Sequence, residues 1–474
     1  MRTIDHIYID GAFVEPHGRE LFDLHNPATG AVIGQVRLGD AEDARAAIAA
    51  ARRALPAMAA TTKSQRLEML RAIEAQMRAG SDALLEAVIE EYGAPASRAG
   101  FMASFPADSV ATAIATLEAY AFERRIGEAE VVMAPVGVAG LITPWNSDAG
   151  FICNKLAYAL AAGCTAVIKP SEMSAIQTQV VLDCLHRAGL PAGVYNVVNG
   201  RGAEVGDAIT ASPDVAKISF TGSTAVGRHI IRAGADTLKR VTLELGGKSP
   251  TVVLDDADFD AVIPGVIEAG YMNSGQACIA GTRILVSERR RAEFETLLKR
   301  AIETRVKVGD PRDPASTIGP MVSQAQWERV QGYIRLGVEE GATLLVGGEG
   351  HPEGLGGYFV RPTVFTGVTN QMRIAREEIF GPVLSILTYA DEAEAIAIAN
   401  DTNYGLSAYV FGEPAHATRV ARELESGRVV INGAAHEPAA PFGGVKQSGL
   451  GRENGVFGLE AYLEPKTLVG ARAA

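Results

Sequence analysis

Cys278 stands in the stretch NSGQACIAGTR, running from Asn273 to Arg283, with Gly275, Ala277, Ala280 and Gly281 around it. A cysteine used only for packing would sit among branched apolar residues, whereas these small neighbours leave room for a reactant to approach the sulfur. A thiolate is a strong nucleophile, and covalent chemistry on it calls for a base and a group that stabilises developing negative charge. The stretch LELGGKSP places Glu244 inside a strand, between Leu243 and Leu245. A carboxylate there must be paired, be protonated or face a cavity, and burial would raise its pKa toward the range that suits a general base. The stretch TPWN (Thr143 to Asn146) closes an earlier strand. Its Asn146 could donate to an oxygen that gains charge, or cap the helix that follows.

Other segments have the chemistry of a nucleotide site. In FTGSTAVG, Gly222 closes a strand and Ser223 opens a helix, which leaves free amides suited to a pyrophosphate. In KPSE (Lys169 to Glu172) a lysine and a carboxylate end another strand, placed either to hold ribose hydroxyls or to form a solvated turn. The stretch GRGAEVG, from Gly200 to Gly206, is one residue too long for the usual dinucleotide fingerprint and reads equally as a glycine-rich turn.

These residues must be positioned by a chain of 474 residues, long enough for two or three domains. The formal net charge of -12 gives no electrostatic footprint for nucleic acid or an anionic membrane, so neither is expected as a partner. The N-terminus MRTIDHIYIDGAF has no apolar signal region. The most apolar stretch, Leu156 to Ile168, is too short to span a bilayer and reads as a buried helix turning into a buried strand. Cys153, Cys164, Cys184 and Cys278 form neither a CxxC pair nor a zinc spacing, so the expectation is a cytoplasmic protein with free thiols and no metal.

Between Val136 and Gly247, short apolar runs (136–143, 165–170, 194–198, 217–222 and 240–247) alternate with helical segments (149–162, 174–188, 203–210 and 224–235). That alternation predicts a parallel sheet covered on both faces, with ligands beyond the carboxyl ends of its strands. A second alternating region, from about Thr251 to Phe442, contains Cys278. A long helical region, Ala41 to about Leu117, precedes the first sheet, and Phe122–Ala134 reads as an extended arm. The C-terminal YLEPKTLVG also reads as a strand that could pair with this arm, including across to a neighbouring subunit.

Taken together, TPWN, KPSE, FTGS, LELGGKSP, GQACIAG, EEIFGP and PFGGVKQSGLGRE resemble, in order and spacing, the motifs of the NAD(P)-dependent aldehyde dehydrogenase superfamily. The resemblance covers essentially the whole chain, from NPATG (Asn26–Gly30) to YLEPKT. It implies an α/β fold of two doubly wound parallel-sheet domains plus a small oligomerisation arm. Residues 1–120 with 136–247 would bind the dinucleotide, 248–447 would form the catalytic domain, and 121–135 with 460–474 the arm. Cys278 would be the nucleophile, Asn146 an oxyanion donor and Glu244 the base that activates the hydrolytic water, with Lys155 and Glu453 in support.

For the cofactor, the resemblance assigns Ile142, Thr143, Pro144 and Trp145 to the nicotinamide side. Lys169 and Glu172 fall to the adenosine ribose, Gly222 and Ser223 to the pyrophosphate, and Glu378 and Phe380 to the nicotinamide ribose, with Ser171, Leu245 and Gly246 also binding the cofactor. A carboxylate at Glu172 accepts from a free 2′-hydroxyl and repels a 2′-phosphate, so NAD is expected, with NADP as a weaker alternative. Ser147 stands where many members carry an aromatic, and Asn154 where some carry tryptophan. The substrate wall would then be Ser147, Phe151, Asn154, Met272, Ile279, His436 and Phe442, around a small-molecule aldehyde. A thioester-forming relative that acylates coenzyme A, and a catalytically silent relative, are the alternatives, and Glu244 argues against the first. A homodimer or homotetramer is implied.

Overall fold

A computed structural model describes residues 2–470. The first large sheet has eight strands, in the spatial order Gly449–Leu450, Arg240–Glu244, Val215–Thr221, Val138–Ile142, Thr165–Lys169, Tyr195–Val197, Ile7–Ile9 and Ala12–Val14. The five from Arg240–Glu244 to Tyr195–Val197 run parallel, while antiparallel strands close both edges. The apolar runs are continuous because both faces are buried. Alternate residues of one strand serve opposite cores: Ala139 and Leu141 pack on the side of the helices Lys63–Ala79, Ala96–Ala119 and Asp148–Ala162, and Val138 and Ile142 on the side of Ala41–Ala59.

The second large sheet has seven strands, ordered Thr343–Val346, Thr363–Thr366, Val383–Tyr389, Arg283–Ser287, Pro250–Val253, Ser407–Phe411 and Arg428–Ile431. All but Thr343–Val346 are parallel to their neighbours. Here too the cores alternate, with Val252 and Leu285 on one face and Val253, Ile284 and Val286 on the other. A third sheet joins Glu123–Ile126, Ala129–Pro135 and Leu463–Val469. The arm is therefore a hairpin, and the C-terminal strand pairs antiparallel with it within one chain, from Leu463 opposite Pro135 to Val469 opposite Ala129. Residues 471–474 of the sequence-predicted arm lie outside the described residues.

The stretch from Leu156 to Ile168 is a buried helix that turns into a buried strand. Asp148–Ala162 ends at Gly163 in the left-handed conformation (φ 90°), where Cys164 N donates to Ala159 O at 2.9 Å, and Thr165 begins the next strand. Arg240–Glu244 is shorter than its apolar run because Leu245 N leaves the ladder and donates to Ser448 O at 2.9 Å. No helix is long and apolar enough to cross a membrane, and among the described residues no group of three or more His, Cys, Asp and Glu is placed to hold a metal ion.

Candidate active site

The chain reverses just before Cys278. Asn273 (φ 54°), Ser274 (φ 59°) and Gly275 (φ 75°) are successive left-handed residues, an unfavourable run for side chains other than glycine. A Cβ on Gly275 would lie 2.2 Å from the backbone of Gly381, so only glycine fits beside that turn. The strained reversal is held by side chains. Gln276 Nε2 donates to Tyr92 Oη (3.3 Å) and Pro320 O (3.2 Å), and its Oε1 accepts from Val322 N at 2.9 Å. Asn273 Nδ2 donates to Asn146 O and Gln276 O, both at 3.2 Å. Asn146 Nδ2 donates to Gln276 O at 3.0 Å. TPWN, from the end of a first-sheet strand, is thus tied to the cysteine loop of the second sheet.

Cys278 is half-buried by accessible surface, and burial pushes its thiol up to about 12, reinforced by Glu378 and Glu244 and opposed by Arg428. Glu244 ends its strand buried, and neither carboxylate oxygen has a hydrogen-bond partner. Desolvation raises its pKa well above the ordinary carboxylate value, Glu453 adds to the rise, and Lys155 and Arg452 oppose it. A buried carboxylate without partners is costly unless a guest molecule meets it.

Both groups line one cleft of about 280 Å³. Of the residues singled out from sequence, Pro144, Trp145, Asn146, Gly222, Ser223, Glu244, Leu245, Gly246, Cys278, Glu378 and Phe380 converge there. Ser223 caps the helix Thr224–Gly234, its Oγ accepting from Val226 N at 3.3 Å. Glu378 accepts from Gly247 N at 3.1 Å, and burial raises its pKa to about 7. A Cβ on Gly246 would meet the Glu378 carboxylate at 2.3 Å, so a side chain there would displace that carboxylate. Phe380 is left-handed (φ 63°) and meets the Trp145 ring edge-on at 5.2 Å.

Gln326 and Arg329, on the helix Gln324–Glu339, had no motif to reveal them. Gln326 Nε2 donates to Phe380 O (2.7 Å) and Arg329 Nη2 to Glu378 O (2.6 Å), fixing the EEIFGP turn. Thr221 completes the lining.

Other sequence candidates lie around this cleft. Ile142 packs in the core, and the Thr143 hydroxyl donates to Asp148 at 2.6 Å, so both shape the strand end. Ser171 accepts from Met173 N at 3.3 Å and caps a short turn. Lys169 and Glu172 form an ion pair at 3.2 Å. Lys155, fully buried, donates to Ser219 Oγ at 3.0 Å and pairs with Glu453. Asn154, expected on the substrate wall, turns toward that pair and donates to Glu453 Oε2 at 3.4 Å. Lys217 was not foreseen; it donates to Thr242 Oγ1 at 2.6 Å in the same buried cluster, and burial lowers its pKa to about 7.

The remaining substrate candidates are dispersed. Met272 and His436 line a separate cavity of about 460 Å³ with Glu268 and Arg428. Phe442 lies beside it, its ring centre 6.5 Å from His436 and 6.0 Å from the Arg428 guanidinium. Ile279 contributes its carbonyl to Tyr409 Oη at 2.8 Å. Phe151 meets Phe105 edge-on at 6.5 Å, and Ser147 accepts from Phe151 N at the start of its helix.

Two linked α/β sheets place a cysteine, a partnerless carboxylate and a glycine-walled cleft at their strand ends, where such folds hold ligands and carry out chemistry. The aldehyde dehydrogenase family model matches residues 13–468, and the chain belongs to that family. It is similar to a 3-succinoylsemialdehyde-pyridine dehydrogenase from a Pseudomonas species, 46% identical over 99% of both chains. Among solved structures, it resembles a mutant of aldehyde dehydrogenase C from Pseudomonas syringae complexed with NAD+ and octanal, with 44% identity, a TM-score of 0.97, and coverage of 99% of this chain and 98% of the other. An aldehyde dehydrogenase of Mycobacterium tuberculosis complexed with NAD+ matches at 38% identity and a TM-score of 0.96, over the whole of both chains (100% each).

Proposed function

We propose that this aldehyde dehydrogenase oxidises its aldehyde to the carboxylic acid through a covalent intermediate on Cys278, with NAD as hydride acceptor and NADP as a weaker alternative. The observation that carries the reading is the convergence of Cys278, the partnerless Glu244 carboxylate and Asn146 on one cleft that also holds Gly222, Ser223, Glu378 and Phe380. That cleft fits a dinucleotide: a helix N-terminus opens onto it, and Gly222, Gly246 and the Glu378 carboxylate line it. Complexes of similar dehydrogenases with NAD+ agree with it.

In this reading Gly222 and Ser223 hold the pyrophosphate, Glu378 the nicotinamide ribose, and Lys169 and Glu172 the adenosine ribose. NAD supplies the hydride acceptor. Cys278 gives up its thiol proton, with Glu244 on the same cleft as the base, and its sulfur attacks the aldehyde carbon to form a thiohemiacetal. The second amide hydrogen of Asn146, with the Cys278 backbone N–H, steadies the oxyanion. Loss of hydride leaves a thioester on Cys278. Glu244 then takes a proton from the water that hydrolyses it, a role open to a carboxylate whose pKa lies above its ordinary range. Lys155 and Glu453 serve as the buried support behind Glu244. We place the protein in the cytoplasm and assign residues 121–135 and 460–474 to subunit assembly.

Rapid mixing tests the reading. Cys278→Ala should form no NADH. Glu244→Gln should give a burst approaching one NADH per active site, then turn over about 10²- to 10⁴-fold more slowly than wild type. Mass spectrometry of the stalled variant should find the acyl group on Cys278. Wild-type turnover by Glu244→Gln, or an acyl group on Cys153, Cys164 or Cys184, would refute the mechanism.

A further inference from the structure

At the adenosine end of the proposed site, three charged side chains meet. Lys169 Nζ lies 3.2 Å from Glu172 Oε2, and Arg201 Nη1 lies 3.5 Å from Glu172 Oε1, so each carboxylate oxygen faces its own cation. Arg201 is held from its other edge. Its Nε and Nη2 donate to Glu20 Oε1 at 3.0 and 2.7 Å, and its guanidinium lies over the Phe22 ring at 4.9 Å. The guanidinium is thus tethered to the N-terminal segment by exposed contacts, and its Nη1 reaches the carboxylate proposed to meet the ribose.

A carboxylate alone would accept from a ribose 2′-hydroxyl and repel a 2′-phosphate. Flanked by two cations, one of them a guanidinium, it discriminates less, because both cations can also donate to phosphate oxygens. We propose that Arg201 is a specificity-determining residue that admits a 2′-phosphorylated dinucleotide to this site. With a free 2′-hydroxyl, Glu172 is the acceptor. With a 2′-phosphate, Arg201 Nη1 and Lys169 Nζ are the donors. The inference rests on the NAD-dependent reading and deepens it.

Calorimetric titration of the whole enzyme with NAD and with NADP, in the absence of aldehyde, tests it without catalysis. Arg201→Met keeps an apolar stem against Phe22 and removes the charge. It should raise the ratio of the NADP to the NAD dissociation constant by about 10-fold or more, the scale of one lost charge-assisted contact. Glu172→Gln should lower that ratio by a similar factor, and the double variant Arg201→Met/Glu172→Gln should lose most of the gain. A ratio unmoved by Arg201→Met, with NAD still bound, overturns the role of Arg201 and leaves the functional reading standing. A wild-type enzyme that binds neither nucleotide overturns both.

Discussion

The Asn146 side-chain amide donates to the carbonyl of Gln276 across 3.0 Å, two residues before Cys278. One amide hydrogen is thereby spent on orientation and the other is left for a guest oxygen. The contact also ties the end of a first-sheet strand to the cysteine loop of the second sheet. A shorter side chain at 146 would lose both functions.

Asn146→Ala should therefore lower kcat/KM by about 10²- to 10³-fold, the usual loss for one oxyanion donor. Steady-state assays with saturating NAD measure it. A loss confined to the KM for aldehyde would contradict the role, because an oxyanion donor acts mainly in the transition state.

The buried pair of Lys155 and Glu453 gives a prediction about stability. Both groups are taken from water, and Ser219 and Asn154 complete their hydrogen bonds. Lys155→Met or Glu453→Gln strands one charge or its partners and should cost about 3–5 kcal/mol. The double variant Lys155→Met/Glu453→Gln should cost less than the two single losses added together. Urea unfolding measures all of them, and additive losses would show that the two side chains do not act as a pair.

Both sheets were legible because their strands are buried on two faces and therefore carry continuous apolar runs, as at Val138–Ile142 and, within Arg283–Ser287, at Ile284, Leu285 and Val286. The N-terminal strands were not. Leu21–His25 and Val32–Arg37 are short and partly exposed, so no apolar run marks them. Cys278 and Glu244 stood out by residue type and neighbours, whereas Asn146 read equally as a helix cap, and the expectation that the three converge came only from the family resemblance. Gln326, Arg329 and Arg201 were hidden because ordinary polar residues on a helix or turn reveal their use only through what they reach in space. Asn154 was misplaced because nothing in sequence says which way a helical asparagine turns.

Assembly makes a further prediction. In the arm sheet, Glu123–Ile126 and Leu463–Val469 are both edge strands, and Ile126 and Val469 are exposed. Exposed edges invite pairing with another chain. We expect a homodimer or homotetramer in sedimentation experiments at micromolar concentration. Proline at Thr467, facing Val131 in the ladder, should weaken it. A stable wild-type monomer would remove the arm from assembly.

The final prediction concerns the pH at which Cys278 reacts. Its thiol is pushed up to about 12 by burial first, then by Glu378 and Glu244, with Arg428 opposing. At neutral pH the free enzyme therefore holds a thiol, and the thiolate fraction grows about tenfold for each unit of pH below that value. Iodoacetamide labelling of Cys278, followed by peptide mass spectrometry, should accelerate log-linearly from pH 7 to 10 with no plateau near 8.5. Arg428→Met removes the one cation that favours the thiolate, so its labelling should be about 3- to 10-fold slower at every pH in that range. Saturating NAD should act in the opposite direction, since a cationic nicotinamide beside the sulfur stabilises the thiolate and would bring a plateau into the measured window. A plateau near 8 in the free enzyme would mean that the sulfur is solvated or already paired with a cation, and the burial argument for Cys278 would fail.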